Sequence, residues 1–248
     1  MKKIIDFGQF LNKMNESFQD SDLVGKIDYT LLAPSATEDQ IVELCEKAKV
    51  LGVKSVCVLP KMVRVAAEVL EDSKVLVCTV VSFPHGTDTT EQKLAETKEC
   101  IANGANEIDM VLNYPLLKNE GSYDDLVYEV KTLADECHKK RKILKVIVES
   151  GLLTAEQTEE ATHICLEAGA DFIKTSTGMV AVGAELDKVQ IMRDIITEEG
   201  SDMKIKASGA IRTMADLQKF APYVDRFGVG YAAVDTIFGG AKAGDNLY

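Results

Sequence analysis

The chain alternates short apolar runs, rich in β-branched residues, with longer stretches whose apolar residues recur every three to four positions. A short apolar run indicates a buried strand, whereas the longer spacing indicates a helix with one apolar face. Ile41, Leu44, Cys45 and Ala48 show the helical spacing clearly. The pattern predicts eight strands, at Ile27–Leu32, Ser55–Leu59, Val75–Ser82, Glu107–Leu112, Ile143–Glu149, Asp171–Thr175, Lys204–Ser208 and Arg226–Val229.

Glycines punctuate this alternation. Gly52, Gly104 and Gly169 each stand shortly before a predicted strand, in LGVKSVCV, NGANEIDMV and AGADFIKTS. Glycine readily adopts the left-handed conformation that ends many helices. The recurrence indicates one strand–helix unit used repeatedly, which predicts a parallel sheet covered by helices.

Eight such units in 248 residues favour an α/β fold of the closed (β/α)8 TIM-barrel type. Such barrels have about 250 residues, and no G-x-G-x-x-G follows a strand to support an open dinucleotide-binding sheet. No linker rich in Pro, Gly or Ser divides the chain, so residues 1–248 are expected to form a single domain. An extra N-terminal helix is predicted in the first 20 residues and a mobile C-terminal tail in the last ten.

The formal net charge of −12 argues against nucleic acid or an anionic membrane surface as partners. The six cysteines form no C-x-x-C pair and are predicted to be reduced thiols in a cytoplasmic protein. Asp6 interrupts the apolar residues of the N-terminus, so a signal peptide is not expected. No run approaches the 18 apolar residues of a membrane span.

Three charged residues stand inside strands that are otherwise apolar. Lys174 and Lys206 lie near the ends of consecutive predicted strands, and Asp109 is flanked by apolar neighbours in NEIDMVL. Active sites of TIM barrels lie at the C-terminal ends of the strands. Lys145 and Lys204 also occur in strands, but their placement favours a structural role.

The pair of lysines suits the formation of a Schiff base. An unperturbed lysine has a pKa of about 10.4, so the neutral nucleophile is rare at pH 7. A second nearby cation and partial desolvation disfavour the charged form of a lysine and supply the neutral amine. Asp109 can balance the charge of Lys206 and transfer protons through a water molecule.

At these residues the sequence resembles the deoxyribose-phosphate aldolases. The motifs that carry the resemblance are GADFIKTSTG, KIKASGAIRT, NEIDMVL, LKVIVESGLLT and SFPHGTDTTEQKLAE, and the likeness runs from IDYTLLAPSATEDQI to Tyr248. It implies a barrel that reversibly cleaves 2-deoxyribose 5-phosphate into acetaldehyde and glyceraldehyde 3-phosphate without a metal ion or cofactor.

The resemblance also implies roles for individual residues. Lys174 resembles the family's Schiff-base lysine, Lys206 the lysine that perturbs it, and Asp109 the proton-relay aspartate. A C-terminal tyrosine, which Tyr248 resembles, assists protonation of the enamine in some members. Residues expected to bind substrate are, at the small-aldehyde end, Asp28, Thr30 and Cys57, and at the phosphate end, where backbone N–H groups usually hold phosphate, Thr177, Gly178, Gly209, Arg212 and Gly228.

The phosphate end departs from the family pattern. Most relatives have a second glycine at the position of Ala210 and a Ser-Ser pair at Gly230 and Tyr231, and some have lysine in place of Met179. Losing two hydroxyl donors would weaken phosphate binding, since hydrogen bonds to charged groups contribute about 1.5–3 kcal/mol each. Tyr231 is expected either to narrow the pocket or to offer its own hydroxyl. Tyr29 and Ala33 also replace the histidine and lysine that relatives often carry.

Four alternative functions can be weighed against these residues. An aldolase acting on an unphosphorylated or otherwise altered aldehyde keeps the same lysines, and a non-catalytic metabolite-binding protein would not need them. A phosphate-binding isomerase has no evident use for a lysine pair. A metal-dependent aldolase would need converging histidines, but His138 and His163 fall in predicted helices. Barrels of this kind often form homo-oligomers, and the sequence does not fix the number of subunits.

Overall fold

The computed structural model describes residues 21–118, 122–233 and 237, in which eight parallel strands close into a barrel in chain order. This confirms the predicted TIM barrel, and each strand begins and ends within two residues of its predicted bounds. The strands are β1 (Ile27–Leu31), β2 (Ser55–Val58), β3 (Leu76–Val81), β4 (Glu107–Val111), β5 (Ile143–Ile147), β6 (Phe172–Lys174), β7 (Lys204–Ser208) and β8 (Arg226–Gly230).

Helices follow the strands and cover the outside of the barrel. Four of them begin at a capping box, in which a threonine side chain and the side chain three residues later satisfy each other's backbone N–H groups. The helices are α1 (Ser21–Val24), α2 (Glu38–Leu51), α3 (Val63–Val69), α4 (Thr90–Ala102), α5 (Tyr123–Lys139), α6 (Ala155–Glu167), α7 (Leu186–Glu198) and α8 (Met214–Phe220), and short 3-10 turns lie at Pro60–Met62, Tyr114–Lys118, Ser150–Leu152 and Tyr231–Ala233.

The glycines after the helices adopt the predicted left-handed conformation. The φ angles of Gly52, Gly104 and Gly169 are 71°, 108° and 77°. The chain therefore turns sharply from the ends of α2, α4 and α6 into the strands that follow them. The predicted N-terminal helix in residues 1–20 and the C-terminal tail lie outside the described residues.

Apolar residues fill the space between the strands and the helices, while the interior of the barrel carries charge. Ile27, Tyr29, Ile108, Val146 and Ile173 alternate along their strands with inward residues and pack in one large apolar core. Ordinary TIM barrels fill the interior with apolar side chains. In the described part of the chain, no helix is long and apolar enough to cross a membrane.

The register of the strands brings the charged residues to neighbouring positions. Lys174 on β6 is aligned with Lys206 on β7, and Asp109 on β4 is aligned with Lys145 on β5. Because neighbouring strands lie about 4.8 Å apart, aligned side chains that point to the same face come close together. The barrel interior therefore concentrates several charges around Asp109.

Candidate active site

Asp109 lies at the centre of the buried charges. Its Oδ2 atom accepts hydrogen bonds from Lys174 Nζ at 2.8 Å and from Lys206 Nζ at 2.7 Å. Both ammonium groups thus meet at one carboxylate oxygen, on adjacent strands as expected from the sequence. The side chains of Asp109 and Lys206 are fully buried, and that of Lys174 is 4% exposed.

A third lysine, to which the sequence assigned a structural role, joins this group. Lys145 Nζ lies 2.8 Å from Asp109 Oδ1 and 2.6 Å from Glu107 Oε2. The side chain of Lys145 is fully buried. Both carboxylates belong to β4, which pairs with β5. The residues around Lys145 in the sequence do not reveal which strand lies beside it. Lys204, by contrast, is exposed, in agreement with its structural interpretation.

A deeper layer of ion pairs lies beneath the lysines. Arg226 NH1 contacts Asp28 Oδ1 at 2.6 Å and Glu107 Oε2 at 3.1 Å, and the guanidinium lies 5.3 Å from the centre of the Phe172 ring. Asp28 also pairs with Lys206 at 2.5 Å. Glu107 and Arg226 were not predicted as site residues, although the spacing of Glu107 and Asp109 places both on one face of β4.

The surrounding charges keep the buried groups ionised. Burial alone would raise the pKa of Asp109, but Lys145, Lys174 and Lys206 hold it well below its ordinary value. Burial would lower the pKa of Lys206, but the charges of Asp109 and Asp28 raise it above its ordinary value. The raised pKa of Lys206 therefore favours its protonated form beside Lys174 at neutral pH.

Lys174 differs from the other cations in its partners. Lys145 pairs with Asp28, Glu107 and Asp109, and Lys206 pairs with Asp28 and Asp109. Within the described part of the chain, Lys174 pairs with Asp109 alone. It also has the slight exposure that the others lack, so it is the lysine best placed to meet a small molecule.

The residues expected at the small-aldehyde end line the same interior. Asp28 reaches the cluster through Lys206, and Thr30 is aligned with Cys57 on β2. The Thr30 hydroxyl donates to the Asp28 carbonyl at 2.9 Å. A hydrogen bond from Cys78 lowers the pKa of the buried Cys57 thiol. Cys78, which was not predicted, contacts Asp109 Oδ1 at 3.1 Å.

Three glycines at the predicted phosphate end approach one another closely. A Cβ atom built on Gly209 would lie 2.9 Å from Gly183 Cα and 3.6 Å from Gly178 Cα. Ala210 has a left-handed φ of 63°, a conformation that glycine adopts more readily than alanine. The loops after β6 and β7 therefore hold their close approach despite the loss of the second glycine.

Thr177 is fixed in the loop after β6 by a buried carboxylate that the sequence did not single out. Its hydroxyl donates to Glu149 Oε2 at 2.5 Å, and Thr177 Oγ1 accepts from the Met179 N–H at 3.0 Å. Arg212 is half-buried, and its Nε atom has no hydrogen-bond partner among the described residues. The Arg212 N–H donates to Asp216 at 2.9 Å.

Gly228 has close neighbours inside the barrel. It lies inside β8, where a Cβ atom would meet Ser208 Cβ at 2.8 Å and Lys206 Cε at 3.3 Å. The absence of a side chain at Gly228 leaves room for the stem of Lys206. A phosphate contact of Gly228 stays a prediction, and Tyr248 lies outside the described residues.

Tyr231 resolves one question posed by the sequence. Its hydroxyl donates to Glu43 at 2.9 Å and accepts from Lys47 at 3.3 Å, and its ring stacks on Tyr29 with centroids 5.8 Å apart. Glu43 and Lys47 belong to α2, on the outside of the barrel. The side chain therefore neither narrows the pocket nor offers its hydroxyl there.

Some groups in the interior also have the spacing of metal ligands. Ligand atoms of Cys57, Cys78 and Asp109 lie within 4.8 Å of one another. The ammonium groups of Lys145 and Lys174 already contact Asp109, so a divalent cation at this position would be repelled. The chemistry of the neighbours therefore does not suit a metal ion.

Comparisons with known proteins agree on one family. Residues 22–225 match the family model described as DeoC/LacD family aldolase. A deoxyribose-phosphate aldolase of Staphylococcus carnosus is 43% identical over 197 residues, which cover 79% of this chain and 87% of that protein.

Two solved structures share the barrel. The structure described as QR15, an aldolase, has a TM-score of 0.81 and 36% identity, and the match covers 88% of this chain and 95% of that chain. The deoxyribose phosphate aldolase of Aeropyrum pernix, described as a unique tetrameric structure, has a TM-score of 0.79 and 28% identity. That match covers 91% of this chain and 94% of that chain.

Proposed function

The chain belongs to the DeoC/LacD family of aldolases, and we propose that it cleaves 2-deoxy-D-ribose 5-phosphate reversibly to acetaldehyde and D-glyceraldehyde 3-phosphate. The observation that carries this proposal is the meeting of Lys174 and Lys206 at one oxygen of Asp109. A neighbouring cation disfavours the charged form of a lysine, and Schiff-base formation requires the neutral amine. The enzyme is thus a class I aldehyde-lyase.

Lys174 is the nucleophile in this proposal. Its neutral amine attacks C1 of the open-chain sugar, and loss of water gives an iminium ion. Asp109, through a water molecule and with Lys206 as the proton-holding partner, takes the proton from the C3 hydroxyl. The C2–C3 bond then breaks, its electron pair moves into the enamine, and C3 becomes the aldehyde carbon of the triose phosphate.

The second half of the reaction regenerates the free amine of Lys174. Protonation of the enamine at its terminal carbon gives the iminium of acetaldehyde, and water releases acetaldehyde from Lys174. Tyr248 is the proposed helper in this protonation. Asp28, Thr30 and Cys57 line the end of the pocket that receives the two-carbon fragment, which is supported by their position around the lysines.

The phosphate end is assigned to the loops after β6, β7 and β8. Thr177 and Gly178 contribute from the first loop, Gly209 and Arg212 from the second, and Gly228 from the neighbouring strand. The left-handed backbone of Gly178, Gly209 and Ala210 supports a cradle of N–H groups for an anion. The Glu149–Thr177 pair supports the shape of the first loop.

A second candidate keeps the chemistry but changes the acceptor to an unphosphorylated or otherwise altered aldehyde. It is favoured by Tyr231, whose hydroxyl is engaged by Glu43 and Lys47 outside the barrel and donates nothing to a phosphate. Met179, at a position where some relatives have lysine, is 40% exposed and apolar. If the substrate is instead phosphorylated, backbone N–H groups would have to supply most of the recognition of its phosphate.

Turnover on 2-deoxyribose 5-phosphate and on 2-deoxyribose separates the two candidates. The leading proposal predicts a much higher kcat/KM for the phosphate, measured by coupling the release of acetaldehyde, the product common to both sugars, to an alcohol dehydrogenase. Met179→Lys adds a cation beside the loop and should raise the preference for the phosphate further. Equal or better turnover of the plain sugar would favour the altered acceptor.

We also propose a cytoplasmic homo-oligomer that acts on small sugar phosphates and aldehydes, with neither nucleic acid nor membrane as a partner. The tetrameric structure described for the Aeropyrum pernix relative supports association of this barrel. Six buried, unpaired cysteines support a reducing compartment. Light scattering of the purified protein would establish the number of subunits.

A further inference from the structure

The positive and negative charges in the ion-pair network of the barrel interior are unequal in number. Ion pairs link four cations, Lys145, Lys174, Lys206 and Arg226, to three carboxylates. The carboxylates, namely Asp28, Glu107 and Asp109, can neutralise three of those cations. One positive charge of this ion-pair network therefore remains uncompensated when all seven of its groups are ionised.

The number of ion pairs made by each cation indicates which one carries the excess positive charge. Arg226 and Lys206 each pair with two carboxylates and Lys145 pairs with three. Lys174 pairs with Asp109 alone among the described residues and shares that carboxylate with two other lysines. Loss of a proton from Lys174 leaves the cluster neutral and keeps every other ion pair intact.

We propose that Glu107 and Arg226, at the first positions of β4 and β8, are positioning residues that set the charge balance beneath Lys174. They touch neither Lys174 nor the place where a carbonyl would react with it. Glu107 contributes one negative charge and Arg226 one positive charge to the same closed network. This inference rests on the proposed Schiff-base function of Lys174.

The effect of Glu107 and Arg226 reaches Lys174 through intervening ion pairs. Glu107 contacts Lys145 at 2.6 Å, and Lys145 contacts Asp109 at 2.8 Å. Arg226 contacts Asp28 at 2.6 Å, and Asp28 contacts Lys206 at 2.5 Å. Both paths end at Asp109, the only carboxylate paired with Lys174 in the described part of the chain.

All eight strands contribute titratable groups to this interior, although not all of these groups are charged. Burial raises the pKa of the Cys78 thiol well above its ordinary value, so Cys78 stays neutral. Glu149 lies just beyond β5 and binds Thr177, and burial raises its pKa. The titratable groups around Lys174 are Asp28, Cys57, Cys78, Glu107, Asp109, Lys145, Glu149, Lys206 and Arg226.

Two substitutions of opposite charge test the proposal. Glu107→Gln removes a negative charge and Arg226→Gln a positive charge, and glutamine retains a polar side chain in each place. The measurement is the rate of trapping of acetaldehyde at Lys174 by cyanoborohydride, followed by peptide mass spectrometry between pH 5 and 9. This probe requires neither phosphate recognition nor turnover.

The two variants should move the profile in opposite directions. The acid limb of the trapping profile should shift to lower pH in Glu107→Gln, because the added positive excess expels the proton of Lys174. The acid limb should shift to higher pH in Arg226→Gln, because three carboxylates then balance three cations, of which protonated Lys174 is one. A shift of about one pH unit, or about tenfold in rate on the limb, is expected from the loss of one nearby charge. The double variant should return close to the wild-type profile.

A matched control separates charge balance from damage to the fold. Glu129→Gln breaks the buried Lys93–Glu129 pair, 2.8 Å long, which joins α4 to α5 outside the barrel interior. It should lower the melting temperature as the test variants do, yet leave the acid limb in place. If one test variant did not fold, the sign of the shift in the other would decide, with the double variant as confirmation.

The outcomes are distinct. Shifts of the same sign in both variants, or trapping that falls uniformly at every pH, would overturn the charge-balance role. Absence of any adduct at Lys174 in the wild-type protein would instead overturn the Schiff-base assignment, and the inference with it. Opposite shifts that cancel in the double variant would support both.

Discussion

Single residues in the barrel interior carry the chemistry, and each acts through its neighbours. Lys174, Lys206 and Asp109 were predicted because charges in apolar strands need an explanation, and the structure brings them to hydrogen-bond distance. Glu107 and Arg226 were not predicted. Each lies at the first position of its strand, where an ordinary exposed charge looks the same in a sequence.

Replacement of Lys174 should abolish the aldolase reaction. Lys174→Leu removes the nucleophile, and Lys174→Arg keeps a cation that cannot form a Schiff base, so both should lower kcat by at least about 1,000-fold. Lys204→Leu is the matched control, because Lys204 lies on β7 but is exposed. Near-native cleavage by either Lys174 variant, measured with 2-deoxyribose 5-phosphate, would contradict the assignment.

Ala210 stores backbone strain that a glycine would relieve. A left-handed conformation costs an ordinary residue roughly 1–2 kcal/mol, and glycine loses about 0.5–1 kcal/mol through its greater unfolded-state entropy. Ala210→Gly should therefore raise the free energy of unfolding by about 0.5–1 kcal/mol in urea titrations, since φ at Ala210 is 63°.

The control for this substitution is Ala95→Gly, in an exposed position in the middle of α4. There the same change should lower the free energy of unfolding by about 0.5–1 kcal/mol, because the backbone is helical. A destabilising effect at both positions would show that Ala210 is not strained.

At the scale of elements, strands and helices were predicted well because their signals are local. Strand boundaries shifted by no more than two residues, and the glycines that end helices were identified by the following strand. Contacts between elements were not predictable in the same way. The pairing of Lys145 with Asp109 depends on the register of β4 and β5, which only the closed barrel fixes.

The capping boxes should contribute measurably to helix stability. Thr154 accepts from the Gln157 N–H at 3.2 Å and its own N–H donates to the Gln157 side chain at 3.0 Å. Thr154→Ala should lower the free energy of unfolding by about 1 kcal/mol in urea titrations, because the Gln157 N–H in the first turn of α6 loses its partner.

Thr132→Ala provides the comparison, because the Thr132 hydroxyl bonds only the Tyr128 carbonyl within α5 among the described residues. Such a bond inside a helix satisfies no orphan group, so the change should be within about 0.5 kcal/mol of neutral. Equal losses in both variants would argue against a special role of the cap.

At the scale of the whole molecule, the TIM barrel encloses charges that most barrels replace with apolar side chains. The parallel strands and their helices were predictable from periodicity, whereas the balance of seven ionised groups depends on geometry that no local pattern contains. The names of the relatives agree with the activity proposed from those groups. The predicted end helix and tail fall outside the described residues and stay predictions.

The buried carboxylates should make the protein sensitive to strong acid. Burial raises the pKa of Asp28 and Asp109, but the surrounding cations outweigh it and hold both below their ordinary values. A carboxyl group whose pKa is lowered by folding stabilises the protein above its unfolded pKa of about 3.9 and loses that contribution as pH falls. The free energy of unfolding should therefore drop steeply below about pH 4.

Denaturant titrations between pH 2 and 7 measure this dependence. Asp109→Asn should flatten the drop, while Asp72→Asn, at an exposed position, should leave it unchanged. Glu149 and Glu129, whose pKa values burial raises, act in the opposite direction, so the loss should not begin near neutral pH. An identical pH slope in the Asp109 variant would contradict the ion-pair account.

Formation of a covalent adduct at Lys174 tests the central claim most directly. The protein is incubated with 2-deoxyribose 5-phosphate, and separately with 2-deoxyribose and with acetaldehyde, then reduced with borohydride and mapped by peptide mass spectrometry. The account predicts an adduct at Lys174, formed most readily with the phosphorylated sugar, and none at Lys206 or Lys145. An unmodified Lys174 with all three compounds would contradict the Schiff-base mechanism.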